Sequence, residues 1–339
     1  MFEPQPLPSI PSNYAPATSL HDAYTRCLDY ELAATNFPDN AFEITHLHAA
    51  RLLGYLVLHA PTDNGRSNLC SEIIYCFDHA ALFELGMQYN NRLIRVFQRI
   101  SDPTPPPSPS PSRPFYVHAE VLPQLLTDPP SYTRSRKLTL IRDGYRSQVT
   151  GTYEAGAQEY GAIPVIPWAG LTMTEACHII PEFKSTFEIA GGGLVQPESK
   201  AGVIEHYGDV SITQELLGQA AHRLENILTL DANLHASFTG LSVWFELTSV
   251  PNQYRVEAAH PGFLLGIDRL VTFTSADTRL PLPSPRYLAL HAACAKAAHL
   301  SGVRVVNYKI SSNIHSSRTM ANGGESAELL AAALSRVVF

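Results

Sequence analysis

Positive charge is scarce in this sequence. The 339 residues include 24 lysines and arginines against 31 aspartates and glutamates, which gives a formal net charge of -7. Affinity for nucleic acid ordinarily depends on clustered Lys and Arg side chains. The balance therefore excludes a general electrostatic attraction to nucleic acid, and any contact with a polyanion requires a local basic patch.

Long hydrophobic runs and paired cysteines are also missing. The longest apolar stretches, Leu52 to Ala60 and Tyr287 to Ala298, contain His or Lys and fall short of the roughly 20 residues that a membrane-spanning helix needs. The first 14 residues include four prolines and lack the basic start and apolar block of a secretory signal. The five cysteines form no Cys-x-x-Cys pair, which excludes a disulfide scaffold. We therefore predict an intracellular protein without a membrane span.

The first third of the chain has helical periodicity. In its last predicted helix, apolar residues recur every three or four positions, as on one buried stripe. These residues are Leu82, Leu85, Tyr89, Leu93, Val96 or Phe97, and Ile100. Earlier segments with the same character are Leu20 to Ala33, Glu43 to His59 and Ser67 to Phe77. The pattern predicts a domain of three or four packed helices over residues 17–100, after a disordered segment at residues 1–16.

A proline-rich segment follows this region. Between Asp102 and Pro114, seven of thirteen residues are proline, and proline supplies no backbone donor for a helix or a sheet. Such a segment favours an extended polyproline conformation, so we predict a stiff linker over residues 101–132. The alternative interpretation is a ligand for proline-binding modules.

The second half has a mixed pattern, which predicts an α+β fold class. Leu138 to Arg142 and Tyr145 to Thr150 have strand character and are joined at Asp143-Gly144, a dipeptide typical of tight hairpin turns. The other predicted strands are Ala176 to Ile180, Val243 to Leu247, Tyr254 to Ala258 and Leu270 to Thr274. The predicted helices are Thr213 to Leu224, Leu230 to Phe238 and Tyr287 to Leu300. We expect a main domain at residues 133–275, a helical extension at 276–310, and a polar tail at 311–339 with a terminal helix at Ser326 to Val338.

Three segments place histidine and asparagine in an order that indicates a catalytic site. They read Thr174-Glu-Ala-Cys-His178-Ile-Ile-Pro181, Leu224-Glu-Asn226-Ile-Leu-Thr-Leu230 and Asn233-Leu-His235-Ala-Ser-Phe238. The first segment is a predicted strand that ends near a histidine, the second a loop that enters an apolar run, and the third a short helix. An imidazole with a pKa of about 6.5 suits the deprotonation of water near neutral pH.

This arrangement resembles the HNH nuclease family, whose ββα-metal motif runs as a His at a strand end, an Asn in the following loop and a His on the helix. It is most similar to the branch with Ala-His-Ile-x-Pro followed by Asn-x-x-x-Leu-x-x-x-Leu-His-x-x-Phe, which occurs in many fungal proteins. The motif resemblance covers about Arg142 to Phe245, and a looser one extends to the N-terminal helices. It implies an HNH domain after the linker, with peripheral strands and C-terminal helices.

The resemblance also implies a role for each matching residue. His178 would be the general base, and Asn226 would brace the loop and orient His178 without touching substrate. His235 would bind a divalent metal ion, Mg, Mn or Zn, that neutralises charge on the phosphoryl group. Asp231, one helical turn before His235, and Cys177, as a thiolate, are the candidates for further ligands.

Three positions depart from the family pattern. Ser147 stands where the branch has the cysteine of an upstream Cys-x-x-Thr-Gly segment. Cys177 occupies the place of an Asp or His ligand, and Thr239 lies where a second helical ligand can lie. The alternative interpretation of Cys177 is a small buried hydrophobic residue. The alternative interpretation of His235 is an ordinary histidine on a helix surface.

One basic cluster lies close to the motif. It consists of Arg136, Lys137, Arg142 and Arg146, with Arg134 just upstream. These side chains either bind backbone phosphates or form an ordinary solvated face. Between Arg134 and Val250, eight Lys or Arg stand against thirteen Asp or Glu, a balance of -5. A face that binds nucleic acid would therefore have to be confined to this cluster.

Three hypotheses follow from the sequence. The first is a metal-dependent HNH-type endonuclease that hydrolyses phosphodiester bonds. The second is a catalytically weak or inactive HNH-fold module that binds nucleic acid or a protein. The third treats His178 and His235 as packing residues of an unrelated α+β domain. The expected partner is nucleic acid, and we expect DNA in preference to RNA. The N-terminal helical domain is the candidate surface for a protein partner.

Overall fold

The structure of the chain is a computed structural model, and it describes residues 3–38, 44–98, 122–159, 161–183 and 199–316. The proline-rich segment from Asp102 to Pro114 and the predicted terminal helix from Ser326 to Val338 lie outside the described residues. The chain divides into two compact units, each assembled from separate segments. The helical unit consists of Met1–Ile100, Thr186–Ile212 and Ala293–Phe339, and the sheet unit consists of Ser101–Ser185 and Thr213–Ala292.

The described chain contains both helices and short strands, which confirms the predicted mixed character. The helices are α1 Ser19–Ala34, α2 His46–His59, α3 Asp63–Tyr75, α4 His79–Tyr89, α5 Arg95–Phe97, α6 Leu122–Thr127, α7 Tyr132–Arg142, α8 Ala155–Glu159, α9 Lys200–Gly208, α10 Ile212–Glu215, α11 Ala232–Thr239, α12 Pro285–Ser301 and α13 Val303–Ser316. The strands are β1 Tyr153–Glu154, β2 Leu171–Thr172, β3 Thr174–His178, β4 Ile227–Asp231, β5 Val243–Leu247, β6 Gln253–Ala258 and β7 Leu270–Thr272. In the described part of the chain, no helix has the length and apolar character that crossing a bilayer needs.

Capping residues set the starts of the first four helices. In each case a Thr or Asp side chain accepts a hydrogen bond from a backbone N–H of the first turn, a donor that the helix itself leaves unpaired. The caps are Thr18 for α1, Thr45 for α2, Thr62 for α3 and Asp78 for α4. The predicted helices of this region are confirmed, and a π-helical turn at Asn90–Ile94 continues the last of them.

The N-terminal segment, predicted to be disordered, instead contacts the first helices. Leu7 is buried, and its backbone N–H donates to the Glu31 carboxylate at 3.0 Å. The Tyr24 hydroxyl donates to the Pro8 carbonyl at 2.8 Å. Proline lacks a backbone donor, but its carbonyl still accepts hydrogen bonds from buried tyrosines. Composition alone therefore gave the wrong prediction for residues 3–16.

Distant segments complete the helical unit. A Cβ atom on Gly65 of α3 would lie 1.8 Å from the Tyr207 carbonyl oxygen of α9, so only glycine fits at this close approach. In α13, the buried Asn307 amide donates to the side-chain oxygen of Asn90 at 2.9 Å. Helix α13, Val303–Ser316, thus packs within the helical unit through a buried amide pair.

Small sheets organise the sheet unit. In the antiparallel pair of β3 and β4, Thr174 lies opposite Asp231 and His178 lies opposite Ile227. β5, β6 and β7 form a three-stranded antiparallel sheet, and β1 pairs with β2 in parallel over two residues. The strands predicted near Ala176, Val243, Tyr254 and Leu270 are confirmed.

Three predictions of local structure in this unit are wrong. The segment from Tyr145 to Thr150 consists of turns with an isolated bridge from Arg146 to Tyr153, and it is not a strand. The segment from Leu138 to Arg142 belongs to helix α7 and not to a hairpin, because Ser131 caps a helix and residues 135, 138, 139 and 142 form one buried face. The alternation in Lys-Leu-Thr-Leu imitates a strand. The predicted helix from Thr213 to Leu224 is α-helical only to Glu215, because Gly218 adopts a positive φ of 56° and 3-10 turns follow it.

A buried ion pair at the end of α7 ties the sheet unit together. The Arg142 side chain is fully buried, and its guanidinium binds both carboxylate oxygens of Asp143 at 2.6 and 2.9 Å. The same guanidinium donates to the carbonyl oxygens of Leu224 and Ile227 at 2.8 Å each. These two residues flank Asn226, so Arg142 fixes the turn that leads into β4.

We expect Arg142→Met to lower the free energy of unfolding by about 3–5 kcal/mol, because the variant leaves a buried carboxylate without its cation. Denaturant unfolding of the full chain measures this change. The matched control is Arg146→Met, at an exposed position, which should change stability by about 0.5 kcal/mol at most. Equal stability of the two variants would contradict the structural role of Arg142.

A second buried group links α12 to α11. The His291 imidazole stacks on the Phe238 ring with centroids 3.7 Å apart, and its Nε2 lies 3.0 Å from the Phe238 carbonyl oxygen. Complete burial lowers the pKa of His291 to about 3, although the hydrogen bond to that carbonyl opposes the shift. The residue is therefore neutral in the folded protein at neutral pH.

This shift predicts a defined pH dependence of stability. The unfolded chain takes up a proton on His291 below a pH of about 6.5, whereas the folded chain does so only near pH 3, so stability falls as pH falls between these values. The expected slope from this group is up to about 1.4 kcal/mol per pH unit. Unfolding curves measured from pH 7 to pH 4.5 should show a smaller slope for His291→Gln than for the unchanged chain. Parallel slopes would show that His291 does not control the acid response.

Candidate active site

The pair β3–β4 and helix α11 place the residues of the sequence motif. His178 is the last residue of β3, Asn226 directly precedes β4, and His235 lies in the first turns of α11. Because Ile227 lies opposite His178 in the register, Asn226 lies beside the point where the chain leaves β3. The chain therefore forms strand, strand and helix at these three positions.

Asn226 braces the backbone that follows His178. Its side chain is fully buried, and the amide oxygen accepts from the Ile180 N–H at 2.9 Å. The amide nitrogen donates to the carbonyl oxygens of Ile180 at 2.8 Å and Ala221 at 3.0 Å. Both backbone groups of Ile180 are thus fixed by one amide, two residues beyond His178. The same amide ties this segment to the turn at Ala221.

His178 pairs with a second imidazole. Its Nε2 lies 3.0 Å from Nδ1 of His222, a hydrogen-bond distance. The other ring nitrogen of His222, Nε2, lies 4.0 Å from a carboxylate oxygen of Glu182. His222 is only 6% exposed, whereas His178 is half-buried. The ring of Tyr132, from α7, lies 6.0 Å from each imidazole centroid and covers the pair on one side.

His235 has a different partner. Its Nδ1 contacts a carboxylate oxygen of Glu175, which lies on β3 three residues before His178. Side chains three residues apart on a strand leave opposite faces. His235 therefore meets the face of β3 that His178 does not occupy, and the two imidazoles do not form one cluster.

The expected further metal ligands have other contacts. Asp231 caps α11, and its carboxylate accepts from the Leu234 N–H at 3.0 Å. Cys177 is fully buried, as in the alternative interpretation of a small hydrophobic residue. Among the described residues, no three His, Cys, Asp or Glu side chains converge into a group that could hold a metal ion. The set of His235, Asp231 and Cys177 therefore does not fit a divalent cation.

The predicted basic cluster is also divided. Arg142 is fully buried in its ion pair with Asp143, so the prediction that it binds phosphate is wrong. Arg136 donates to the Thr174 carbonyl at 3.1 Å and is half-buried beside β3. Lys137 is half-buried as well, and Arg146 is exposed. Arg146 is thus the member of the cluster most accessible to a phosphate.

The sequence motif missed the side chains that surround His178. His222 lies four residues before Asn226, and Glu182 four residues after His178, so neither spacing places them beside the strand end. Tyr132 was assigned to a linker. Proximity to Asn226 along the chain was the one available indication for His222.

A comparison with known proteins matches the part of the chain that contains His178, Asn226 and His235. The family model described as HNH endonuclease matches residues 148–245. We call this segment the HNH region; it covers β3, β4, α11 and the turn that contains Asn226, and less than a third of the chain. HNH endonucleases cleave nucleic acid and generally use a divalent metal ion. Searches of curated proteins and of solved structures gave no match.

We expect Asn226→Ala to lower the free energy of unfolding by about 3 kcal/mol, because three buried backbone groups lose their hydrogen-bond partner. Asn226→Asp should be at least as damaging, since a carboxylate would face the carbonyl oxygens of Ile180 and Ala221. Thermal and denaturant unfolding measure both effects.

The matched control is Asn233→Ala, at an exposed position of α11 in the same HNH region, which should stay within about 0.5 kcal/mol of the unchanged chain. If Asn226→Ala unfolds at the same denaturant concentration as this control, the amide does not fix the turn.

Proposed function

We propose that the HNH region hydrolyses phosphodiester bonds of nucleic acid, with His178 as the general base. The observation that supports this proposal is the placement of His178 within the matched region. It lies at the end of β3, half-buried, hydrogen-bonded to a second imidazole, and beside a turn fixed by Asn226. When neighbouring groups already fix the orientation of a general base, the entropic cost of orienting it for the reaction is smaller.

The proposed reaction is the attack of water on phosphorus. The oxygen of the water bonds to phosphorus while the bond from phosphorus to the leaving oxygen breaks, and His178 takes the proton from the water. Asn226 acts as a positioning residue, since its contacts reach the backbone and not the substrate. Arg146 is the candidate contact for a backbone phosphate, because it is the exposed cation of the basic cluster.

Metal dependence remains a prediction. The His235, Asp231 and Cys177 set does not fit a metal ion in the described residues, so no step of the proposed reaction is assigned to one. This observation favours a second candidate function, a module of the HNH type that binds nucleic acid without cleaving it. The two functions differ in one measurable property, the appearance of nicked product.

The test is a plasmid-nicking assay with the purified full chain, run separately with Mg²⁺, Mn²⁺, Zn²⁺ and a chelator. We expect the unchanged protein to nick supercoiled DNA in at least one condition, and His178→Ala to lower the rate by at least about 100-fold, the scale of a lost general base. The matched control, His260→Ala, changes an exposed histidine outside the HNH region and should leave the rate unchanged.

Equal nicking by the unchanged protein and by His178→Ala in every condition would overturn the proposal. Retention of DNA in a gel-shift assay, with no nicking in any condition, would instead support the binding module. A weaker gel shift for Arg146→Met than for His260→Ala would then identify the exposed arginine as a phosphate contact.

A further inference from the structure

One tryptophan of the HNH region lies outside the core. Trp168 is fully exposed in the segment between α8 and β2, whereas the other tryptophan of the chain, Trp244 of β5, is fully buried. Val165, Leu171 and Met173, which are close to Trp168 in the chain, are exposed as well. The burial of apolar side chains drives folding, so these exposed side chains contribute little to the stability of the fold.

The backbone conformation of Trp168 is also unfavourable for a large side chain. The Ala169 N–H donates to the Ile166 carbonyl at 3.2 Å, which closes a four-residue turn with Pro167 and Trp168 at its centre. Trp168 has a positive φ of 66°, as at the third position of a type II turn, where glycine is preferred. Bulky residues are rare at positive φ, and such outliers cluster at sites that contact ligands. The folding of this turn therefore does not account for a tryptophan.

An exposed cation lies close to this turn in the same small sheet. Arg146 forms a backbone bridge with Tyr153, and Tyr153 pairs in register with Leu171 of β2. Two strand spacings separate Arg146 from Leu171, roughly 10 Å, and the three residues from Trp168 to Leu171 span about 10 Å at most. The backbones of Arg146 and Trp168 therefore lie within about 20 Å of each other.

The strands of this sheet present no exposed carboxylate. No residue from Gly161 to Met173 carries a charge, although the chain as a whole is acidic. Glu154 of β1 is buried, and its carboxylate accepts from the Thr174 N–H at 2.7 Å. Of the flanking acidic residues, Glu175 contacts His235, and Glu159 is exposed on α8. On β1 and β2, a polyanion would thus meet apolar side chains and the Arg146 cation.

We propose that Trp168 stacks on an unpaired base of DNA, while Arg146 binds a phosphate of the same strand. A nucleobase presents a flat face that stacks on an indole ring, and its phosphate is the group that an arginine binds. A base inside a duplex is stacked on both sides, so only an unpaired base leaves a face open. The exposed side chains beside Trp168 are apolar and offer no partner to a 2′-hydroxyl, which gives RNA no advantage over DNA.

This inference rests on the proposed function and names single-stranded or locally unpaired DNA as its substrate. β2 and β3 follow Trp168 directly, and β3 ends at His178. The ten residues from Trp168 to His178 span at most about 33 Å, roughly one turn of a DNA duplex. A strand whose base stacks on Trp168 is therefore held within reach of His178.

The first test uses the tryptophan fluorescence of the full chain, in a chelator. Because Trp168 is exposed and Trp244 is buried, we expect acrylamide to quench the emission of Trp168 in the free protein. Oligodeoxythymidine of about 12 nucleotides, a typical length for a single-strand site, should quench the same emission and protect it from acrylamide. Trp168→Phe leaves Trp244 as the only tryptophan, and its emission should respond little to either addition.

The second test compares the affinities of variants for this oligonucleotide at one salt concentration. Trp168→Gly introduces the residue that the turn prefers, so it should unfold at the same denaturant concentration as the unchanged chain or at a higher one. It should bind at least about fivefold more weakly, the scale of one lost stacking contact, and Trp168→Tyr should recover most of this loss. Arg146→Met should weaken binding and lower its salt dependence by about one phosphate contact.

The matched control is Phe77→Ala, which removes an exposed aromatic ring from the helical unit and should leave the affinity unchanged. Equal affinities of Trp168→Gly and Phe77→Ala would overturn the stacking contact. So would binding of the duplex form at least as tight as that of the single strand, or a Trp168 that acrylamide does not reach in the free chain. Tighter binding of oligouridine than of oligodeoxythymidine would overturn the assignment to DNA.

Two further outcomes would assign the exposed side chains to a different partner and overturn the proposal. One is protection of Trp168 from acrylamide that increases with protein concentration and not with DNA, which would indicate a second copy of the chain. The other is protection by phosphatidylserine vesicles and not by DNA, which would indicate a lipid surface.

The failure of this inference is distinguishable from the failure of the proposed function. Quenching of Trp168 by single-stranded DNA, without nicking in any condition, would overturn the nuclease function and retain the stacking contact. Nicking that requires His178, together with Trp168→Gly that binds as tightly as the unchanged chain, would retain the function and overturn the contact.

Discussion

The buried pair of Arg142 and Asp143 is the interaction on which the candidate site depends. Taking both charges out of water is costly, and the cost is offset only because the guanidinium also saturates the carbonyl oxygens on either side of Asn226. The Asn226 amide then fixes both backbone groups of Ile180. The contacts of Arg142 and those of Asn226 therefore meet in one turn, which connects the end of α7 to Ile180, two residues beyond His178.

Local contacts explain why the expected metal ligands do not converge in the part of the chain that the structure describes. Asp231 lies at the start of α11. Its carboxylate accepts a hydrogen bond from the Leu234 N–H and so caps this helix. Strand alternation directs Cys177 and His178 to opposite faces, and Cys177 is fully buried. Nδ1 of His235 contacts the Glu175 carboxylate. Each donor is thus satisfied by local geometry, and none of these contacts directs the three donors to a common point.

Much of the fold follows from local patterns in the sequence. Apolar spacing predicts α1 to α4, and strand-like patterns predict β5 to β7, because these elements bury one face against neighbours close in the chain. The order of His178, Asn226 and His235 was likewise readable. Their contacts were not, because the partners His222 and Glu182 are brought together by tertiary structure. Helix α7 was missed because the alternating run at Leu138 to Arg142 was interpreted as a strand. The two units could not be found because each joins separate segments.

The assembly of the helical unit from separate segments has a consequence for synthesis on the ribosome. Helices α1 to α4 emerge first, yet the Tyr207 hydroxyl that bonds to Leu56 and the Asn307 amide that bonds to Asn90 come much later in the chain. Contacts so far apart in sequence form slowly, and apolar faces that wait for them are open to association. The N-terminal helices therefore keep part of their packing surface uncovered until the segments that contain Tyr207 and Asn307 have been synthesised.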